Sequence, residues 1–379
     1  MRRRRVTDRA NRLLAFTITV ATTLIPAAPA RADWVRDLQW HLNYLNVTEA
    51  HRISRGEGVT VAVVDTGVDA RHPDLADAVL PGADLVGDSG NGHTDISGHG
   101  TAMAGLIAAR GQGNNSGALG IAPRAKILPV RIQVMSYAAS EIVRGIYWAI
   151  ERGARVICVA SGGGSSPELE AAVMAALKAD VVVVAAAGNR PEATRVEWPA
   201  AYPGVIAAAG VDRDGNHAEV SVTGPEVVLA APAVDIVSTD KLGETGYGKG
   251  TGTSAATAII AGAAALVRAK YPDLSAAEVV HRLTATAVDK GPPGRDELYG
   301  YGVLDLVAAL TADVPPMPSP TAASQPTGPN LALPPIPEPD EPQRLKALLT
   351  GAAYILFGSA LLAVAVIGAA LAARSRRRG

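Results

Sequence analysis

The chain has a single cysteine among its 379 residues, which excludes a disulfide within it. Aromatic residues make up only 4%, and 35 basic residues stand against 36 acidic ones. This balance gives no electrostatic reason to expect nucleic acid as a partner. No Cys and His spacing typical of zinc is present, and we expect neither a metal nor a cofactor. Hydrophobic residues reach 48%, enough for a large core.

The N-terminus carries the pattern of an export signal. Four arginines, Arg2–Arg5, precede an apolar stretch over Leu13–Ala30, and Ala30-Arg31-Ala32 has the small residues of a cleavage site. We therefore predict a secretory signal peptide over residues 1–32. A retained N-terminal anchor is the alternative, but the threonines, the proline and the cleavage site disfavour it.

The C-terminus carries a second membrane signal. Residues 347–373 contain no charge over 27 positions, which at ~1.5 Å per residue exceeds the ~30 Å apolar layer of a bilayer. The basic tail 374–379 follows, and positive charge stays in the cytoplasm. We predict one transmembrane helix with the main domain outside the cell. A buried core helix is the alternative.

A proline-rich segment precedes this helix. Residues 315–342 hold 11 of the 26 prolines, and we assign 313–346 to an extended linker. Residues 33–312 then form the main domain, with short apolar runs and helical patterns in alternation. Unbroken Val and Ile runs are typical of strands buried on both faces. We predict an α/β fold of three layers with a mostly parallel central sheet, and a buried strand position for Cys158.

The predicted strands are 59–64, 126–131, 154–159, 181–187 and 205–209, and the predicted helices are 100–110, 140–153, 167–178 and 254–270. A capping box over Ser275–Glu278 indicates one further helix. Ligands of such sheets lie beyond the carboxyl ends of the strands. Asp65, Ala160–Gly163 and Gly188-Asn189 all follow predicted strands, so they converge on one edge.

Three side chain types at this edge fit nucleophilic catalysis. A serine hydroxyl needs an imidazole to take its proton, and a carboxylate to orient the imidazole. Ser254 and His99 each lie beside glycines at a predicted helix start, and Asn189 offers an amide to an oxyanion. Each signal is weak alone, and the order Asp65, His99, Ser254 raises its weight.

The remaining histidines lack this glycine setting, and we interpret them as surface or structural residues. An esterase of the α/β-hydrolase kind fits poorly, because its serine lies in Gly-x-Ser-x-Gly and comes first in chain order.

These motifs resemble those of the subtilisin-like (S8) serine peptidases over residues 50–310. Val61–Val68 resembles the aspartate motif, Gly98–Thr101 the histidine motif, Gly252–Ser254 the serine motif and Ala185–Asn189 the oxyanion segment, with Gly120–Pro123 as a further feature. The resemblance implies a subtilisin-like fold and the hydrolysis of protein or peptide substrates.

Several positions depart from the family pattern. Ala160, Ser161, Gly162 and Gly163 stand where the substrate-binding strand usually reads Ser-Leu-Gly-Gly, so we predict a more open and less apolar wall. The serine motif lacks its usual proline at Ala258, which leaves the exact start of that helix uncertain. Ala102 replaces a second, non-catalytic histidine.

The wider layout resembles the mycosins, the subtilisin-like proteases of actinobacterial type VII secretion. The segment 33–55 is too short for a folded inhibitory prodomain, and the sequence does not decide whether it wraps the core or blocks the cleft. The resemblance implies membrane components of a type VII apparatus as partners. A catalytically idle scaffold for such a complex is the alternative function. The acidic stretch Asp84–Asp95 is interpreted as a solvated loop rather than a cation site.

Overall fold

A computed structural model describes residues 33–317 apart from 88–89, 114, 134–138, 242, 244 and 316. The predicted signal peptide, nearly all of the predicted linker, the predicted transmembrane helix and the basic tail lie outside the described residues. Among the helices of the described part, none combines the length and the hydropathy that a membrane crossing requires.

A parallel sheet of seven strands runs through the described residues. The strands are β1 Thr60–Asp65, β2 Ala83–Asp84, β3 Lys126–Arg131, β4 Val156–Val159, β5 Val182–Ala186, β6 Ile206–Val211 and β7 Val227–Pro232. Their order across the sheet is β2-β3-β1-β4-β5-β6-β7, and an antiparallel hairpin of β8 Ile236–Thr239 and β9 Tyr247–Gly250 lies apart from it. The central position of β1 places Asp65 between the ends of β3 and β4.

Helices cover both faces of this sheet. They are α1 Asp33–Leu38, α2 Trp40–Tyr44, α3 Val47–Ile53, α4 His99–Ala108, α5 Ala139–Glu151, α6 Pro167–Lys178, α7 Thr253–Lys270, α8 Ala276–Ala285 and α9 Leu306–Thr311, with a 3₁₀ turn at Pro73–Leu75. Alternate residues of β1 point to opposite faces. Val61 and Val63 join one core with α4 and α7, whereas Ala62 and Val64 join a second core with α5 and α6. The predicted three-layer α/β arrangement with a mostly parallel sheet is confirmed.

The two layers differ in burial. Almost all of α4 and α7 is buried, because these helices pack on the sheet and on other segments at once. In contrast, α5 and α6 bury one face each. The serine helix begins at Thr253 despite the missing proline, and the predicted capping box of Ser275 and Glu278 is present. Cys158 is buried on β4 as predicted, and burial raises the pKa of its thiol.

The segment 33–55 wraps the core. The indole N–H of Trp40 donates to the carbonyl of Val234 at 3.0 Å, and the hydroxyl of Ser54 donates to the carbonyl of Leu266 at 2.9 Å. Gln39 is buried and exchanges hydrogen bonds with the backbone of Leu119. These contacts attach the helices α1, α2 and α3 to the body of the domain. The segment therefore wraps the core, which the sequence alone did not decide.

Candidate active site

Asp65 and His99 are brought into direct contact. Asp65 ends β1 and is fully buried, and its Oδ1 accepts a hydrogen bond from Nδ1 of His99 at 2.7 Å. The backbone N–H of Thr66 donates to the same oxygen at 2.7 Å. The negative charge of Asp65 raises the pKa of His99 above its ordinary value, although burial opposes the shift. Since Nδ1 faces the carboxylate, Nε2 is the nitrogen left for a substrate or a hydroxyl.

A buried acid that the sequence analysis missed holds the start of α4. Asp95 accepts hydrogen bonds from the backbone of Gly98 at 2.8 Å and Thr101 at 2.9 Å, and from the hydroxyls of Thr101 at 2.7 Å and Thr66 at 2.9 Å. The interpretation of 84–95 as a solvated loop is therefore wrong at both ends. Asp95 is buried, and Asp84 pairs with Arg131 at 2.6 Å. Each carboxylate also accepts from one residue far along the chain, Thr66 for Asp95 and Arg131 for Asp84, which composition alone did not reveal.

Ser254 is the second residue of α7, and its hydroxyl does not bond to His99. Its Oγ donates to the carbonyl of Ala160 at 2.8 Å, and within the described residues no hydrogen bond joins it to the imidazole. Ser254 and His99 nevertheless line the same two cavities, of about 400 and 700 Å³. A rotation of the serine side chain within this shared space would change the partner of Oγ.

Asn189 follows β5 and lies against the start of α7. Its Oδ1 accepts from the backbone N–H of Thr253 at 2.8 Å and from the Thr253 hydroxyl at 3.1 Å. These two donors identify Oδ1 as the acceptor, so Nδ2 is left as a donor in a side chain that lines both cavities. Gly252 permits this approach, since a Cβ there would lie 3.1 Å from Nδ2.

The predicted substrate-binding stretch forms one wall of the larger cavity. Ala160, Ser161 and Gly162 line it, whereas Gly163 pairs instead with the backbone of Trp198. The Ser161 hydroxyl is buried and has no hydrogen-bond partner among the described residues. Glu197 lines the same cavity and was missed, because it lies in a loop between β5 and β6 that carries no motif.

The other groups of the described residues do not add a second centre. No cluster of His, Cys, Asp and Glu there has the arrangement of metal ligands. His72 is buried and bonds to the carbonyl of Gly246 at 2.7 Å, as expected of a structural residue. Burial lowers the pKa of His41 to about 3. Neither cavity is lined by residues of the segment 33–55, so that segment does not block the cleft.

A parallel α/β sheet whose edge carries a buried carboxylate, an oriented imidazole and a serine at a helix start is typical of serine proteases of the subtilisin type. Comparison with known proteins agrees. The model of the subtilase family, Peptidase_S8, matches residues 56–302, and the chain belongs to this family. It is a subtilisin-like serine endopeptidase related to the mycosins.

Three relatives illustrate the match. Mycosin-1 of Mycobacterium tuberculosis is 36% identical over 368 residues, which cover 81% of this chain and 80% of that protein. The thermostable alkaline protease of Halalkalibacterium halodurans is 39% identical over 271 residues, 70% of this chain and 71% of its own. The solved structure of the MycP3 protease from the type VII (ESX-3) secretion system superposes with a TM-score of 0.65 at 34% identity, covering 76% of this chain and 90% of that one.

Proposed function

We propose that the chain is a membrane-anchored extracellular endopeptidase that cleaves peptide bonds through Asp65, His99 and Ser254. The observation that carries the proposal is the bond between Asp65 and His99, which directs the free nitrogen of the imidazole toward the cleft that Ser254 also lines. A carboxylate in this place keeps the proton on Nδ1 and stabilises the imidazolium that forms later.

The proposed reaction begins when Oγ of Ser254 leaves the carbonyl of Ala160 and donates to Nε2 of His99. His99 takes the proton as Oγ attacks the substrate carbonyl, and then gives it to the departing amine. The acyl group stays on Ser254 until water, activated by the same imidazole, releases it. Nδ2 of Asn189 and the N–H groups at the start of α7 would stabilise the oxyanion.

The cellular setting is proposed from sequence and likeness. The proposed order of segments would place the site outside the cell on a tether. The segments are signal peptide 1–32, peptidase domain 33–312, linker 313–346, transmembrane helix 347–373 and cytoplasmic tail 374–379. The likeness to Mycosin-1 and to the MycP3 protease supports a role in type VII secretion with its membrane components as partners. Cleavage of the domain by protease added to intact cells is expected, and full protection would contradict this topology.

One observation favours a second candidate, an idle scaffold. The hydroxyl of Ser254 is bonded to a backbone carbonyl rather than to His99. An activated serine reacts with fluorophosphonates, whereas a serine fixed on Ala160 would not.

Labelling of the purified chain with a fluorophosphonate probe separates the two functions. We expect labelling of the wild type and its loss in Ser254→Ala and in His99→Ala. Equal labelling of wild type and Ser254→Ala, or none of either, would contradict the endopeptidase function.

A further inference from the structure

One carboxylate in the wall of the larger cavity has no partner within the part of the chain that the structure describes. Among the described residues, the side chain of Glu197 forms no hydrogen bond or ion pair, although it is half-buried beside Ser161 and Gly162. Burial raises the pKa of this carboxyl group. A partly desolvated and unpaired charge is costly unless a ligand supplies the opposite charge.

Two glycines make room for this side chain. A Cβ at Gly162 would lie 2.8 Å from Oε2 of Glu197, and a Cβ at Gly188 would lie 3.1 Å from the same oxygen. The carboxylate therefore lies between the substrate-binding stretch and the segment that carries Asn189. Its backbone is fixed, because the N–H of Glu197 donates to Ala187 at 3.0 Å and the next residue exchanges two hydrogen bonds with Gly163.

The arginines near Glu197 are engaged elsewhere. Arg131, which also lines the cavity, pairs with Asp84 at 2.6 Å. Arg190 donates to the hydroxyl of Thr223 at 2.9 Å, and Arg195 lies 5.3 Å from the ring centre of Trp198. Glu192 adds a second acid to the lining. The charge that the cavity presents to a substrate is therefore negative.

The carbonyl of Ala160 indicates which substrate residue enters this cavity. It lies 2.8 Å from Oγ of Ser254, so it can accept the N–H of the residue whose carbonyl Ser254 attacks. That residue then directs its side chain along Ser161 and Gly162 toward Glu197. The cavity volume of about 700 Å³ has room for a long side chain.

We propose that Glu197 selects lysine or arginine at the substrate residue that supplies the attacked carbonyl. This inference rests on the proposed function and names its substrate class. The carboxylate accepts hydrogen bonds from the ammonium or guanidinium group, and the buried hydroxyl of Ser161 offers a further acceptor.

Quenched peptides that differ only at this residue test the proposal on the full-length chain purified in detergent. Arginine is compared with citrulline, its uncharged isostere, and with glutamate. We expect kcat/KM of the wild type to favour arginine over citrulline by about tenfold or more. The ratio should fall to about one in Glu197→Gln, and Glu197→Lys should favour glutamate. Glu192→Gln, the same change at the other acid of the cavity, should keep most of the preference for arginine.

The outcomes separate this inference from the proposed function. Equal cleavage of arginine and citrulline peptides by a wild type that labels with fluorophosphonate overturns the role of Glu197 alone, as does an unchanged ratio in Glu197→Gln. If neither labelling nor cleavage occurs, the endopeptidase function fails. Binding of the fluorescent cation 4-aminobenzamidine then tests, without catalysis, whether the cavity accepts a cation. Saturable binding that Glu197→Gln abolishes then supports the inference, and absence of binding to the wild type overturns it.

Discussion

The helices of this domain begin in two different ways. Two helices, α6 and α8, have local caps: the Ser166 hydroxyl accepts from the third residue of α6, and Ser275 forms a capping box at α8. The helices that carry His99 and Ser254 begin after Gly98 and Gly252, which give no side-chain cap.

Residues outside α4 and α7 satisfy the starts of these two helices instead, and two of them, Thr66 and Asn189, are far from the helices in the sequence. Asp95 and Thr66 accept from the first turn of α4, and Asn189 accepts from the first residue of α7. A local cap stabilises a helix only, whereas a distant cap also attaches the helix start to another segment. The contrast teaches that the proposed catalytic side chains are held in place by Thr66 after β1 and Asn189 after β5, together with Asp95 from the loop just before α4.

The largest expected effect is at Asn189. Asn189→Ala removes the cap of α7 and the proposed oxyanion donor, so kcat should fall by about 10²- to 10³-fold. Asn189→Asp keeps the acceptor for Thr253 but loses the amide donor, so kcat should fall while the melting temperature stays close to wild type. Peptide turnover and thermal unfolding check both variants. If Asn189→Ala has the kcat of the wild type, Asn189 takes no part in catalysis.

Asp95→Asn should be the most destabilising of the cap variants. The new NH₂ group would face N–H and O–H groups that now donate to the carboxylate. The free energy of unfolding should fall by about 2 kcal/mol. Asp305→Asn is the matched control, since Asp305 caps α9 locally through Ala308 at 2.9 Å and asparagine caps equally well. Urea unfolding measures both. Equal effects of the two variants would argue against a special role for Asp95 at the start of α4.

The local caps should affect stability alone. Ser166→Ala and Ser275→Ala each remove a hydroxyl that accepts a backbone N–H, which costs about 1 kcal/mol. Neither residue touches the cleft, so kcat should match the wild type at temperatures where both variants are folded. Denaturant titration and turnover of one peptide check this. A clear drop in kcat would show that the local caps also affect catalysis, which would contradict the prediction.

The smallest effect concerns pH. The pKa of His99 is raised above 6.5, mainly by Asp65 with a smaller contribution from Asp95. Because the neutral imidazole takes the proton of Ser254, kcat/KM should fall as the pH drops through this raised pKa. Asp95→Asn should move the midpoint of that acid limb to lower pH by a fraction of a unit. Two results would contradict the assignment of this limb to His99. One is a wild-type midpoint below pH 6.5, and the other is a midpoint that Asp95→Asn moves to higher pH.

Apolar runs predicted the centre of the fold well. Strands β1, β4 and β5 are apolar runs rich in Val and buried on both faces, and β3 has a buried apolar centre of Ile, Leu, Pro and Val; such runs are typical of a parallel sheet. The strand β9 reads Tyr-Gly-Lys-Gly, and only its pairing with β8 makes it a strand. The last predicted strand, 205–209, extends to Val211, and β7 was not predicted.

The site was predictable only where glycine motifs mark it. Asp65, His99, Ser254 and Asn189 lie in such motifs and meet at one edge. Asp95 lies outside these motifs, although most of its donors are within six residues of it. Glu197 carries no local signal, because its place in the cavity depends on segments that are distant in the sequence. For the same reason the sequence could not show that the hydroxyl of Ser254 rests on the backbone of Ala160.

The position of Cys158 has a practical consequence. The only thiol of the chain lies inside β4 with none of its surface accessible, so maleimides and similar reagents should leave the folded domain untouched. A cysteine introduced at an exposed site such as Met174 would then be the sole point of attachment for a dye or spin probe. Local motion at the labelled position could then be followed spectroscopically without first deleting a native residue.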